Sequence, residues 1–549
     1  MKFLKVLINC LISGAFFCFL LSLLTIDLNI NLRFDLAFFT QLSLFLFITY
    51  GLLVSLICFI LFFIVQFFAG RKFNIAVVSP SFLTLSFSFL LFLFLLIFKT
   101  NQHYFLSFFD LQTQKILNSQ STPLMIMAVL GFITFYGFFR YKKNALFYGL
   151  YFFLLLATLI YAVNRRFLYS FPFNPPKTAS LEAKQIDKKI TVVGLKGLSF
   201  DFLIPLINEG KLPNFSWFME NGSWGKLKSF SPTEPLILHT SFNTGKLPAK
   251  HRQISPYRYR LFNVSTPLEI TPRFIFFWQL TRTELIRISA NTFSPLTKDL
   301  WQILGENKTL FLKRDNPDYL QLTHPSPKAQ KLFHQFYKEL EYEKGSLFEI
   351  LKQAFYGDVE YEETTHLQKK DTQPQVTHFY LSGLNMVETY FYKYSFPDLF
   401  GNIDQEEINK YSTTIEKYYQ FYDQIIGKYL ASLKEDELLV IYSPHGIEAL
   451  PMWKRIVEWI LGNAEISAYH EHAPHGVIFF YGKEIERGKN IKGMKLVDIV
   501  PTFLNYLGLP VGKDMDGTVQ SSVFVEEFRM ENPVLYISSY EEISIERPE

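Results

Sequence analysis

Residues 190–210 read ITVVGLKGLSFDFLIPLINEG, and this stretch carries two hydrophobic patterns in succession. Its first six residues form a short, almost wholly apolar run, which is typical of a buried β-strand. From Phe202 to Asn208 the apolar residues suit a helix, and Glu209-Gly210 supplies a glycine stop. The stretch therefore predicts a strand, a turn and a helix.

The same signals return later in the chain. Strand patterns cover 377–381, 437–443 and 477–481, and an amphipathic helix is expected from about 406 to 433. Alternating units of this kind predict an α/β domain with a parallel sheet covered on both faces. Residues 257–375 are less regular and richer in aromatic residues, as an inserted cap would be.

Five apolar runs precede this domain, near residues 4–25, 42–68, 77–98, 123–139 and 145–163. Each is long enough to approach the roughly 20 helical residues that cross a bilayer. We therefore expect an all-α transmembrane domain at 1–168, a proline-rich linker at 169–189, the α/β domain at 190–525 and a tail at 526–549.

The short loops between the runs differ in positive charge, which predicts their orientation. One side carries Lys2, Lys5, Arg71, Lys72, Arg140, Lys142 and Lys143 and is expected to be cytoplasmic. Five spans then place everything after Arg166 on the periplasmic or extracellular side of an inner (plasma) membrane. The spans contain almost no ionisable residues, which favours a lipid-bilayer anchor over a transporter.

Charge and cysteine content exclude two further classes. Residues 1–175 hold 12 basic and 3 acidic residues, and the remainder holds 42 and 47. The mildly acidic later part argues against a nucleic-acid partner. Cys10, Cys18 and Cys58 all lie in apolar runs, so the later part has no thiol for a disulfide, a zinc ligand or a nucleophile.

Nine short motifs of the later part, in order and spacing, resemble type I phosphodiesterase/nucleotide pyrophosphatase domains of the alkaline phosphatase superfamily. The motifs are Val192–Phe202, Gly210–Phe215, Asn221–Gly225, Ser231–Thr233, Asn243–His251, Asp299–Leu304, Ser443–Gly446, His472–Val477 and Leu496–Leu504. The resemblance implies a doubly wound, mostly parallel sheet. It also implies hydrolysis of phosphoesters by a Thr or Ser nucleophile held against one of two divalent metals, usually zinc.

This chain departs from the pattern at five of the family's seven catalytic positions. They are Lys196 for the opening Asp, Pro235 for the nucleophile, Asn385 and Thr389 for the Asp-x-x-x-His pair, and Pro444 for the Asp of Ser-Asp-His-Gly. His445 and the late His472 remain. One imidazole per metal does not make a stable zinc site, which needs three or four ligands.

Two hypotheses follow. The first is a membrane-anchored pseudoenzyme without a metal cofactor, which binds protein partners in a membrane complex or takes an anionic ligand on Lys196. The alternative is an active phosphoester hydrolase or lipid head-group phosphotransferase. It would use zinc or manganese in a site rebuilt from the surviving histidines and from His470, Glu471 and His475.

Other side chains have a chemical and an ordinary interpretation. Thr233, Thr240 or Ser241 would serve as a shifted nucleophile only with a metal or with a base such as His239. In its ordinary interpretation, His239 packs where the family usually has Trp. Arg252, Arg258 and Arg260, interleaved with tyrosines, suit phosphate or lipid head groups, or belong to a solvated cap surface.

Overall fold

The computed structural model describes residues 2–32, 35–69, 76–140, 145–168, 187–273, 280, 283–291, 297–305, 308–311, 325–340, 344–401 and 403–541. Contacts divide the chain into two units. Unit 1 contains Met1–Asn174, Leu247–Leu296 and Ile545–Glu549, and unit 2 contains Pro175–Lys246 and Thr297–Ser544.

Unit 1 is built on long apolar helices. They are Lys2–Leu28, Leu36–Leu46, Leu52–Ala69, Pro80–Tyr104, Leu111–Arg140 and Ala145–Asn164, and the second continues into the third through a π-helical turn at Phe47–Gly51. Within the described residues, five helical stretches are long and apolar enough to cross a membrane: Phe3–Leu28, Leu36–Ile64, Pro80–Tyr104, Leu111–Gly137 and Leu146–Asn164. The prediction of five apolar helices is confirmed.

Small residues let the first and second spans approach closely. A β-carbon added to Gly14 would lie 2.2 Å from Ser55 Oγ and 2.4 Å from the carbonyl oxygen of Gly51. In lipid there is no hydrophobic drive between helices, so close packing of small residues is a main source of their association. Gly14 therefore sets the distance between these two spans.

The segment Leu247–Leu296 belongs to unit 1, where two asparagines hold it. The Asn29 side-chain amide donates to the carbonyl oxygen of Ile270 at 2.8 Å and accepts from its N–H at 2.8 Å. Asn101 makes the same pair of bonds with Arg273, at 3.3 and 2.7 Å. Each side-chain amide thus bonds to both the N–H and the carbonyl oxygen of one residue, as a neighbouring strand would. Residues 269–273 therefore lie against the ends of the first and third spans.

The strands are β1 (Lys189–Leu195), β2 (Ser223–Leu227), β3 (Tyr257–Leu261), β4 (Ile286–Ala290), β5 (Thr309–Phe311), β6 (Val376–Leu381), β7 (Glu437–His445), β8 (Glu448–Ala449), β9 (Ala468–Tyr469), β10 (His475–Tyr481), β11 (Lys489–Ile491), β12 (Val511–Gly512) and β13 (Tyr536–Ile537). In unit 1, β3 and β4 form an antiparallel hairpin. In unit 2, seven strands form one sheet in the order β11-β2-β10-β7-β1-β6-β5.

The seven-stranded sheet is mixed, with parallel strands at its centre. β1 pairs in parallel with β6 and β7, whereas β10 runs antiparallel to both β7 and β2. Apolar side chains alternate between two cores: Val193 and Leu195 belong to one, and Ile190 and Val192 to the other. Burial of both faces explains the unbroken apolar run that begins the domain, and the predicted α/β fold class is confirmed.

Helices cover both faces of this sheet. In and around unit 2 they are Phe200–Asn208, Pro213–Asn221, Pro235–Thr244, Leu300–Leu304, Pro327–Tyr337, Ser346–Thr372, Gly383–Ser395, Gln405–Tyr411, Thr414–Ser432, Met452–Leu461, Ile499–Tyr506 and Glu526–Glu531, and Pro248–His251 lies in unit 1. The single helix expected over about 406–433 is two helices in the structure. The first, Gln405–Tyr411, is capped by Asp404 and ends before the second, Thr414–Ser432, begins.

Two expected boundaries differ from the contact division. Of the expected cap at 257–375, residues up to 296 group with unit 1 and the remainder with unit 2. Residues 526–544 group with unit 2, where Phe528 is buried and β13 pairs with β12. The expected linker at 169–189 lies outside the described residues up to 186, and β1 already includes Lys189.

Candidate functional site

The candidate site lies where three neighbouring strands end. β1 ends at Leu195, β6 at Leu381 and β7 at His445, and their parallel pairing brings these ends to one edge of the sheet. The turn after β1 begins with Lys196, and a helix begins at Gly383, just after β6. In open α/β sheets, ligands bind in the crevice outside the carboxyl ends of such strands.

A small cavity at this edge collects residues that are far apart in sequence. Its free volume of about 10 Å³ is room for roughly one water molecule. Four of the positions singled out from the sequence line it: Lys196, Pro235, Pro444 and His445. The other lining residues are Leu238, His239, Phe242, Tyr380, Tyr442 and Leu496.

Lys196 is the cation of this cavity. It is half-buried, and burial lowers the pKa of its ammonium group to about 8, while the nearby Glu234 carboxylate opposes that shift. Burial raises the pKa of Glu234, and the charge of Lys196 acts in the opposite direction. Glu234 directly precedes Pro235, the first residue of its helix. The chain thus supplies its own anion beside the lysine, which sequence reasoning missed.

Two imidazoles stack beside Lys196. The rings of His445 and His470 have centroids 4.6 Å apart and planes inclined by 14°. His445 Nδ1 lies 2.9 Å from the carbonyl oxygen of Gly446, and its Nε2 is buried without a hydrogen-bond partner. Burial, and next the charge of Lys196, lowers the pKa of His445 to about 3. Burial, then His445 and Lys196, lowers that of His470 to about 2. Both rings are neutral near pH 7.

His472, the position carried over from the family pattern, lies elsewhere. Its side chain is 64% exposed, and its backbone N–H donates to the Glu448 carboxylate at 2.9 Å. The reason is the short β8–β9 ladder, which pairs Tyr469 with Glu448 and directs the next residue, His470, toward β7. His475 is exposed at the start of β10. The second imidazole of the site is therefore His470.

Asn385 and Thr389 share the helix Gly383–Ser395 but do not line the cavity. The Thr389 hydroxyl donates to the carbonyl oxygen of Asn385 at 2.7 Å, a bond within its own helix. The Thr389 carbonyl oxygen accepts from the Ser467 N–H at 2.8 Å. Asn385 Oδ1 is buried without a partner. These two positions support the chain around the site.

Glu388, one turn along the same helix, is a buried acid that sequence reasoning missed. Its side chain is fully buried; one oxygen accepts from the Tyr419 hydroxyl at 3.1 Å and Oε2 has no partner. Burial raises the pKa of Glu388 well above its ordinary value, and the hydrogen bond from Tyr419 acts in the opposite direction. A β-carbon on Gly197 would lie 2.2 Å from Oε2, and Gly197 has φ +95°. The glycine after Lys196 leaves room for this carboxyl.

The other candidate side chains make local contacts. The Thr240 hydroxyl donates to the carbonyl oxygen of Leu236 at 2.9 Å, that of Thr233 donates to the carbonyl oxygen of His470 at 3.2 Å, and Ser241 is buried. The His239 ring meets Tyr380 edge-on, with centroids 4.5 Å apart.

The three arginines belong to unit 1. Arg252 is buried rather than solvated, and burial lowers its pKa to about 10. Arg258 lies 3.9 Å from the Glu269 carboxylate, and Arg260 is exposed. The structure therefore groups these arginines with the apolar helices.

A family model described as type I phosphodiesterase/nucleotide pyrophosphatase matches residues 190–501, more than half of the chain. The chain belongs to this family. The matched range begins in β1 and ends in the helix Ile499–Tyr506, so it includes every residue of the candidate site.

Among solved structures, the chain is similar to the phosphonate monoester hydrolase SpPMH from Silicibacter pomeroyi. Identity is 12% and the TM-score is 0.35; the match covers 61% of this chain and 76% of the other. A search of curated protein sequences found no significant match.

Proposed function

We propose that this protein is a membrane-anchored, non-catalytic member of the phosphodiesterase family, in which the α/β unit acts as a binding or scaffold component. The observation that carries the proposal is that Lys196 and Pro235 line the same small cavity, at the carboxyl ends of the central strands. An ammonium group stands where the family's opening Asp would hold a cation. A proline, which has no hydroxyl, stands at the nucleophile position.

The donor chemistry does not fit a two-metal centre. Lysine ammonium carries no lone pair at neutral pH and proline offers no side-chain donor. The imidazoles that remain are His239 and His445, which line the cavity, and His470, which stacks on His445. Structural and catalytic zinc sites use three or four protein ligands. In the described part of the chain, no group of three or more His, Cys, Asp or Glu side chains is placed to hold a metal ion.

An anionic group is the ligand that Lys196 suits best. The nearby Glu234 is half-buried, and burial raises the pKa of its carboxyl group, which weakens its competition for the ammonium group. A phosphate-bearing ligand that displaced Glu234 would take over the ammonium group. Titration of the full-length chain with inorganic phosphate tests this: we expect Lys196→Met to abolish the binding heat and exposed Lys211→Met to leave it unchanged.

The periplasmic or extracellular placement of the α/β unit has support within unit 1. Residues 269–273 contact Asn29 and Asn101, at the far ends of helices whose other ends adjoin the positively charged loops. Those loops are expected in the cytoplasm. Reporter fusions test the side: a reporter active only outside the cytoplasm should work after Tyr104 and fail after Lys72.

The stacked His445–His470 pair, with its unpartnered Nε2, favours one alternative: an active hydrolase or phosphotransferase whose rebuilt site uses zinc or manganese. Metal content separates the two functions. After exposure to each ion and removal of the excess, the tag-free, full-length protein should retain a negligible fraction of an equivalent.

Matched variants locate any metal that is retained. The non-catalytic proposal is overturned if the protein retains one equivalent of metal or more and this metal is lost in His445→Ala and His470→Ala but kept in His472→Ala. Turnover of bis(p-nitrophenyl) phosphate with the same dependence on the variants would overturn it too.

A further inference from the structure

The helix Met452–Leu461 of unit 2 has its apolar residues on the outside. Met452, Trp453, Ile456, Trp459 and Ile460 are between 50% and 72% exposed, and no residue of the helix is buried. Their spacing of one, three and four residues forms one stripe along about 15 Å of helix. A contiguous exposed apolar surface of this kind marks an interaction site.

The three charged residues of the same helix contact neighbouring residues. Glu458 accepts from the Asn463 side-chain amide at 2.9 Å, and the Lys454 ammonium lies 5.4 Å from the centre of the Trp453 ring. Lys454 forms an ion pair with Glu471 and lies 4.1 Å above the centre of the Tyr469 ring. Arg455 donates to the carbonyl oxygen of Leu399 at 3.1 Å and covers the Phe400 ring at 4.6 Å. An ordinary surface helix has the opposite arrangement, with apolar residues inward and charges outward.

The apolar surface continues beyond the helix. Through the bond of Arg455, the turn Pro397–Leu399 lies against the helix, and Leu399 is exposed, with Phe396 partly so. We call Phe396, Leu399 and the five exposed helix residues the tryptophan face.

We propose that the tryptophan face docks on the surface of the lipid bilayer. It presents tryptophan, methionine and isoleucine without a charged side chain, so it offers a charged partner nothing to pair with. Tryptophan is enriched where hydrocarbon meets head groups, because its ring is apolar and its N–H is polar. The spans of the same chain keep unit 2 tethered near a bilayer, which raises the effective concentration of that partner.

The docking helix is linked to the candidate site. Its residue Lys454 forms an ion pair with Glu471, the residue after His470. The loop that carries the second imidazole is therefore attached directly to the docking helix. This link is independent of whether the site is catalytic, so the docking proposal stands or falls separately from the proposed function.

Brominated lipids test the proposal on the full-length chain in vesicles of zwitterionic phosphatidylcholine. All six tryptophans lie beyond residue 176, outside the apolar runs, and five of them lie in unit 2. All proteins in this test carry Trp278→Phe, so that intrinsic emission reports on unit 2 alone. Bromine near the head-group end of the acyl chain should quench wild-type emission more than bromine near the bilayer centre. Quenching should persist at high salt, because the face is uncharged.

The tryptophans themselves provide the variants. Trp453→Phe with Trp459→Phe keeps the face apolar and should lose most of the bromine-dependent quenching. Trp217→Phe, which removes a partly exposed tryptophan from another helix of unit 2, should retain it. Equal quenching in the wild type and the double variant overturns the proposal. So does an absence of quenching, the result expected if a second copy or another protein covers the face.

Discussion

The stacked imidazoles of His445 and His470 should make the α/β unit sensitive to acid. Burial and the charge of Lys196 lower the pKa of His445 to about 3, and burial with the same neighbours lowers that of His470 to about 2. An unfolded chain restores a value of about 6.5. The native state therefore binds fewer protons than the unfolded state below about pH 6.5, and the free energy of unfolding falls as the pH drops through that value.

The magnitude follows from the same pKa values. At pH 5 an unfolded histidine is about 1.5 pH units below its pKa, which corresponds to about 2 kcal/mol at 1.36 kcal/mol per unit. Both folded values lie below pH 5, so each ring contributes its full share. The two rings together should lower the free energy of unfolding by about 4 kcal/mol between pH 7.5 and pH 5.

Replacement of each ring by phenylalanine keeps a planar partner for stacking and removes the titration. The assay is urea unfolding of the full-length chain in detergent, followed by tryptophan fluorescence at both pH values. His445→Phe and His470→Phe should each reduce the acid-induced loss by about 2 kcal/mol. Each variant is compared with itself at two pH values, so a change in the free energy of unfolding that does not depend on pH cancels. The other titrating groups contribute equally to all variants.

His472→Phe is the matched control, because that ring lies two residues from His470 but is exposed. Its acid-induced loss should equal that of the wild type. The reasoning is refuted if His445→Phe and His470→Phe lose as much stability between pH 7.5 and pH 5 as His472→Phe does.

Two further predictions concern close contacts. Gly197→Ala should lower the free energy of unfolding by about 2–4 kcal/mol, because φ is +95° and the new β-carbon meets a buried carboxyl at 2.2 Å. Gly210→Ala, with φ +72° and open space, should cost about 1 kcal/mol; equal costs in urea unfolding would contradict the proposed contact. Asn29→Ala should speed hydrogen exchange at the Ile270 amide roughly tenfold or more, as expected for loss of about 1–3 kcal/mol. Asn9→Ala, near the start of the same helix, should leave that amide unchanged, and an effect of equal size would refute a local clamp.

Much of the fold was predictable because hydrophobic patterns are local. The five apolar helices and the central strands followed from runs of a few residues. Lys196, Pro235, Pro444 and His445 were placed in one site because family motifs end at strand ends, and the structure brings all four to one cavity. Half-buried Glu234 and buried Glu388 were missed, because no motif distinguishes an acid that packs against the protein from a solvated one.

The choice between His470 and His472 shows the limit of motif spacing. Both histidines precede the same Pro-x-Gly-Val pattern, and alternation along an extended chain would put both on one face, so spacing alone does not separate them. The β8–β9 ladder selects His470, and that ladder pairs residues about 20 positions apart.

The sequence by itself determined the family, the apolar helices and the residue types available for chemistry, since these depend on neighbouring residues and on motifs read along the chain. Tertiary structure alone decided which side chains meet. It brought Lys196 and Pro235 to one cavity, stacked His470 on His445 and left the tryptophans of Met452–Leu461 facing outward. The physical reason is that burial and charge pairing depend on three-dimensional packing between segments distant in sequence, which local patterns do not encode.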